Sequence, residues 1–174
     1  MFSNPAKNLR AAHVGLGMNI ADLGAGSGFY SLEAAALVGK EGKVYAIDIQ
    51  EEILLRIKNE AKQAGFLNLE ILHADLEKKN SVPLKDETLD MVIVANILFA
   101  VEDKESLLTE AHRLLRKTGR ILVVDWADAF GGIGPHMDHV VTKEKAMQFL
   151  EKAGFSFEKE IPAGEHHYGL IARK

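Results

Sequence analysis

The chain has no cysteine and only four prolines in 174 residues. Without thiols it can build neither a disulfide framework nor a thiolate metal centre nor a cysteine nucleophile, which excludes the small stapled secreted domain as a class. A reducing, cytoplasmic setting is the expectation. There is no excess of positive charge either: the formal net charge is -4, so no field gathers nucleic acid or an anionic membrane surface, and neither is expected as a partner. No apolar run approaches the roughly 20 residues of a spanning helix, and "MFSNPAKNLRAAHVGLG" lacks a basic stretch followed by an apolar core. A soluble protein is expected. Internal repeats, low-complexity tracts and linkers are also missing. With 47% hydrophobic residues the length suits one well-buried core, a single domain over residues 1–174.

What is present is an alternation of short apolar runs with segments of helical period. After a lead-in helix from Pro5 to about Val14, "MNIADLG", "KVYAIDI", "LEILHAD", "LDMVIVANILF" and "RILVVDW" read as strands. Between them, residues 28–38, "EEILLRIKNEAKQAG" and "ESLLTEAHRLLRKTG" carry apolar residues at helical spacing and stop at glycine. A loop "FGGIGPHMDHV" leads to a helix capped by Thr142 and stopped by Gly154. "FSFEKEI" and "HHYGLIARK" lie so close around "PAGE" that they must pair as a hairpin. Read as five rounds of strand then helix, this predicts an α/β fold. Its sheet is Rossmann-like, doubly wound, seven-stranded and mostly parallel, with an antiparallel C-terminal hairpin and helices on both faces.

In such a sheet a ligand sits beyond the carboxyl ends of the strands, next to the first strand. There stands "ADLGAGSGFY", where Gly24, Gly26 and Gly28 let backbone turn tightly against a ligand. The spacing G-x-G-x-G, with Asp22 two residues ahead, differs from the G-x-G-x-x-G of dinucleotide sites. A carboxylate there repels a pyrophosphate and suits the ammonium of a bound amino acid.

These residues resemble the class I S-adenosylmethionine-dependent methyltransferases, of the small-molecule type related to the ubiquinone and menaquinone C-methyltransferases. The likeness rests on "ADLGAGSGFYS", "VYAIDI", "LHADLE", "LDMVIVANIL" and "LLRKTGRILVVDW" in that order. The resemblance implies S-adenosylmethionine as cofactor. Asp22 and the turn Gly24, Ala25, Gly26 and Gly28 would hold its methionine portion, with Tyr30 close by. Asp48 would accept the ribose hydroxyls, a role its distance from the glycines also predicts. Asp75 would meet the adenine amino group, Ile49 and Leu76 would sandwich the ring, and Asn96 would face the reactive centre.

Methyl transfer from a sulfonium needs positioning more than a covalent residue. If the acceptor must lose a proton, the candidate bases are His136, Asp138 and His139 in the glycine-rich loop and His166, His167 and Tyr168 near the last strand. No metal is expected, since no carboxylate-rich companion motif accompanies His136, Asp138 and His139. The fourth strand ends in "ANILFA" rather than an Asn/Asp-Pro-Pro-aromatic signature, unlike amino-methyltransferases of nucleic-acid bases, and the absent cysteines remove the thiolates of an arsenite methyltransferase. The short lead-in gives a minimal lid, which favours a large acceptor at an open site or a homodimer completing the pocket; a monomer with an unidentified small-molecule or protein acceptor stands beside it. A nicotinamide-dependent oxidoreductase and a non-catalytic cofactor-binding module are the alternatives.

Overall fold

The computed structural model describes residues 3–130 and 133–174; Gly131 and Gly132 of the glycine-rich loop lie outside the described residues. The elements are α1 (Pro5–Ala11), β1 (Asn19–Leu23), α2 (Phe29–Val38), β2 (Lys43–Asp48), α3 (Glu51–Gln63), β3 (Leu69–His73), β4 (Leu89–Ala95), α4 (Lys104–Leu114), β5 (Leu115–Trp126), a single 3-10 turn (Met137–His139), α5 (Lys143–Lys152), β6 (Ser156–Pro162) and β7 (His167–Arg173). They form a seven-stranded sheet in the order β3-β2-β1-β4-β5-β7-β6. The pairs among β1 to β5 are parallel, and β7 runs antiparallel between β5 and β6.

The chain reverses its direction of winding at β1. From there α2 and α3 carry it outward through β2 to β3, and β4 then returns to the other side of β1. Strand alternation divides the core. One layer joins Leu9 of α1 and Ala34 of α2 to Ile20, Met91, Leu122 and Ile171. The other joins Leu107 of α4 and Leu150 of α5 to Ala21, Val92, Val123 and Leu170. β4 is buried on both faces, as its unbroken apolar run predicts.

Two expectations change. The rounds with a helix number four rather than five, because β3 reaches β4 through the irregular segment 74–88, the loop that Pro83 marks in the sequence. Side chains of α4 hold it instead. Glu110, buried, accepts the N–H groups of Asn80 at 3.2 Å and Val82 at 3.0 Å. Arg113 grips that carboxylate through Nε at 2.9 Å and a terminal nitrogen at 2.7 Å, and donates to the carbonyls of Leu84 and Val82. The helical pattern through "LLRKTG" also overshoots. Helix α4 ends at Leu114 because Leu115 is already extended and paired with Leu89, fully buried in the sheet.

Removing Arg113 would leave Glu110 as a buried, uncompensated charge in a segment with no helix of its own. Arg113→Met is expected to lower unfolding free energy by about 3–5 kcal/mol, read as a shifted urea midpoint; a loss below about 1 kcal/mol would show that the pair does not hold the crossover.

Candidate functional site

The glycine turn leaves β1 in left-handed backbone, with φ of 75° at Gly24, 50° at Gly26 and 79° at Gly28, a region nearly closed to other residues. The three glycines serve different ends. At Gly24 an added Cβ would lie 2.0 Å from Cδ1 of Ile97, and at Gly28 one would lie 2.7 Å from Cγ1 of Ile57, so these two admit neighbouring elements. At Gly26 the nearest atom would be 3.9 Å away, so there the bare backbone faces open space.

That space is a cavity of about 440 Å3, within the range of small-molecule sites. Of the predicted cofactor residues it gathers Gly24, Gly26, Asp48, Ile49, Asp75, Leu76 and Asn96. Asp48 is 7% exposed and braces the turn: one carboxylate oxygen accepts the Gly26 N–H at 3.0 Å and the other the Gln50 N–H at 3.0 Å. Asp75 lies on the rim, where a hydrogen bond from Lys78 keeps its carboxyl below the usual range and therefore ionised. Asn96 takes positive φ, 55°, as it leaves β4.

Four predicted residues do not reach the cavity. Asp22 is 2% exposed on β1 and accepts the Ser31 hydroxyl at 2.6 Å, so its carboxylate locks β1 to α2. Burial pushes its pKa up to about 6, the Ser31 bond opposing and Asp48 adding to the rise. The Tyr30 hydroxyl accepts the buried Asn8 amide at 2.7 Å and fastens α1 to α2. Ala25 packs with Ile57 and Ala46, and Gly28 is the cap of α2.

The candidate bases separate as well. His136 sits beside Asp138 at 3.1 Å on the exposed loop, and Asp138 and His139 line a second cavity. Tyr168 is buried against the core; burial, followed by nearby Asp125, pushes its pKa well up, which disfavours it as a base near neutrality. His166 pairs with Asp128 at 2.9 Å and stacks on Phe130 at 3.9 Å. The His167 ring lies 4.3 Å from that of Trp126, and burial followed by His166 pushes its pKa down.

Two organising residues were missed. Asp125, 0% exposed, accepts the N–H groups of Leu98 and Trp126, each at 2.8 Å, and so fixes the exit from β4. Glu77, on the cavity rim, accepts from the backbone of Glu102 and, at 3.0 Å, of Asp103. The polar ends of "VVDW" and "ADLE" mark both positions, but a sequence does not show which backbone a carboxylate will meet.

The charge of the cavity is one-sided. Asp48, Asp75, Glu77 and Glu102 line it, and among the described residues no lysine or arginine does. This fits a ligand rich in hydroxyl and amino donors and carrying positive charge, as an adenosyl sulfonium does, and repels a pyrophosphate.

The fold and this glycine-turn site define a class I methyltransferase, and the comparisons agree. The profile of the methyltransferase-domain family matches residues 16–154, and the chain belongs to that family. It is 33% identical over 113 residues to the arsenite methyltransferase of Aquipseudomonas alcaligenes, covering 63% of this chain and 33% of that one. It is 31% identical over 112 residues to the ubiquinone/menaquinone biosynthesis C-methyltransferase UbiE of Escherichia coli, covering 64% and 43%. The matched stretch thus spans less than half the length of these relatives. A SAM-dependent methyltransferase from Aquifex aeolicus superposes with a TM-score of 0.89 at 29% identity over 98% of this chain and 89% of its own. The [4+2]-cyclase SpnF shares the fold, with a TM-score of 0.82 at 14% identity over 98% and 80%.

Because the folded pKa of Asp22 lies above its unfolded value, this group favours the native state fully below about pH 4, and the advantage fades as pH rises through about 6. Asp22→Asn never ionises. Its stability relative to the native chain is therefore expected to be more favourable at pH 7 than at pH 4, by on the order of 2–3 kcal/mol, measured by paired urea titrations; a difference independent of pH would mean that Asp22 is not strained by burial.

Proposed function

We propose that the chain transfers a methyl group from S-adenosylmethionine to a small molecule or protein side chain by in-line displacement. The carrying observation is the acidic cavity, free of lysine and arginine, at the glycine turn. The bound cofactor would supply an activated methyl group on a sulfonium. The chain's part is placement. Asp48, held by Gly26 and Gln50, has acceptor capacity left for two ribose hydroxyls. Ionised Asp75 would accept an adenine amino proton, with Ile49 and Leu76 on either face of the ring. Asn96 and Ile97, crossing above Gly24, would border the methionine end.

The acceptor is not arsenite on this reading, because the chain has no thiolate to hold a soft metalloid. Should the acceptor carry a proton to be removed, the bases to test are His166, held by Asp128, and His139, which lines the second cavity, with His136 beside Asp138 on the exposed loop. A cytoplasmic setting accords with the absence of cysteine and with the lack, among the described residues, of any helix long and apolar enough to cross a membrane.

Titration calorimetry tests the assignment. S-adenosylmethionine and S-adenosylhomocysteine are expected to bind and NAD not measurably; the reverse preference would overturn it. Asp48→Ala should weaken S-adenosylhomocysteine by about tenfold or more through loss of charge-assisted bonds. It should also lower stability by about 1–3 kcal/mol as the Gly26 and Gln50 N–H groups lose their acceptor.

A further inference from the structure

The far wall of the cofactor cavity is a segment with hollow on both sides. Ala100, Val101 and Glu102 line the 440 Å3 cavity on one face and a second cavity of about 640 Å3 on the other. Val101 packs partly on the core, and the rest of the wall is held mainly at its ends. At its start, buried Asp125 accepts the Leu98 N–H. At its finish, the Glu77 carboxylate accepts the N–H groups of Glu102 and Asp103, just before Asp103 caps α4 through the Ser106 N–H at 2.9 Å. The two tethers differ in kind. Asp125 comes from the central sheet and is wholly enclosed, whereas Glu77 is exposed and follows directly on Asp75 and Leu76.

We propose that Glu77 is a positioning residue for the cofactor: its carboxylate clasps the loop carrying Asp75 and Leu76 onto the wall at 100–103 and so slows cofactor release. This rests on the cofactor reading above. The clasp joins two segments that line one cavity, the loop through Glu77 and the wall through Glu102. A ligand leaving past Asp75 and Leu76 must part the loop from the wall. The two bonds then enter the barrier for dissociation more than that for encounter, as is usual for contacts that tune affinity. The anion also sits at the positive end of α4, which favours the closed arrangement.

The probe is S-adenosylhomocysteine, with association and dissociation rates measured by surface plasmon resonance on the full chain. Glu77→Ala is expected to dissociate about tenfold faster, with association changed by less than about threefold. Glu77→Gln keeps a carbonyl oxygen for both N–H groups and should fall between, about threefold faster. The melting temperature of the ligand-free protein should move little. A purely structural glutamate would do the opposite, lowering the melting temperature and leaving dissociation from the folded fraction unchanged. Dissociation from Glu77→Ala within twofold of the native rate overturns the clasp. If Glu77→Ala does not fold, Glu77→Gln decides, and a native rate there overturns it. If the native chain itself binds no S-adenosylhomocysteine, the cofactor reading fails and the clasp with it.

Discussion

The ligand end of this sheet depends on one carboxylate. Asp48, the last residue of β2, accepts the N–H of Gly26 and of Gln50, tying the turn after β1 to the turn after β2. Neither turn could close as well alone, because each exposes donors that the strand ladder no longer uses. The same group must stay open to a ligand. A carboxylate can do both, since two oxygens offer about four acceptor sites and backbone takes one on each. Gly26 completes the arrangement: at φ of 50° a glycine avoids the strain a side chain would meet, keeps its donor on Asp48 and leaves the cavity side bare.

Buried or semi-buried acids repeat this solution around the fold. Asp22 locks α2 through Ser31, Glu110 gathers the helix-free crossover, and Asp125 sets the β4 exit. Glu110 and Asp125 fix irregular backbone by accepting its N–H groups, and Asp22 joins a strand to a helix by accepting a hydroxyl. The penalty is desolvation. Where an arginine answers the charge, as at Glu110, the pair is self-contained; where only neutral donors do, burial pushes the pKa up to about 6, as at Asp22 and Asp125. Ligand-binding loops are usually the soft part of a domain. Here they hang from the interior of the sheet.

Strand positions and the glycine turn were legible in the sequence because period and glycine spacing are local properties. So was the gathering of Asp48, Asp75 and Asn96, since a parallel sheet places successive strand ends on one rim. Asp22, expected at the methionine portion, is buried on β1 with its carboxylate given to Ser31 of the next helix, a contact that spacing along the chain does not announce. The Tyr30 hydroxyl is likewise engaged by Asn8, from a helix twenty-two residues away. Glu77, Asp125 and Arg113 were invisible for a common reason: each acts on backbone from another element, and a polar residue at the end of a strand or on a helix face looks the same whether it is solvated or tethering. The loop between β3 and β4 is legible from Pro83, but what holds it is not, since those side chains lie twenty-eight to thirty-one residues further on.

Sharing a fold does not fix chemistry, as a cyclase on the same scaffold illustrates, so the distribution of charge within the cavity carries the argument for methyl transfer. A carboxylate set against a sulfonium would stabilise the cation before the reaction and lose that contact as the charge disappears, raising the barrier. The useful place for negative charge is against the hydroxyl and amino groups of the nucleoside, whose charge does not change. The cavity is arranged in that way on the proposed reading. Asp48 and Asp75 lie where ribose and adenine are assigned, with Glu77 following on Asp75 and bonded to the Glu102 backbone, while the end assigned to the reacting centre is bordered by Gly24, Asn96 and Ile97, which carry no charge. The acids then hold the cofactor without opposing its reaction, and the uncharged end leaves transfer to be governed by how closely an acceptor is brought to the methyl group.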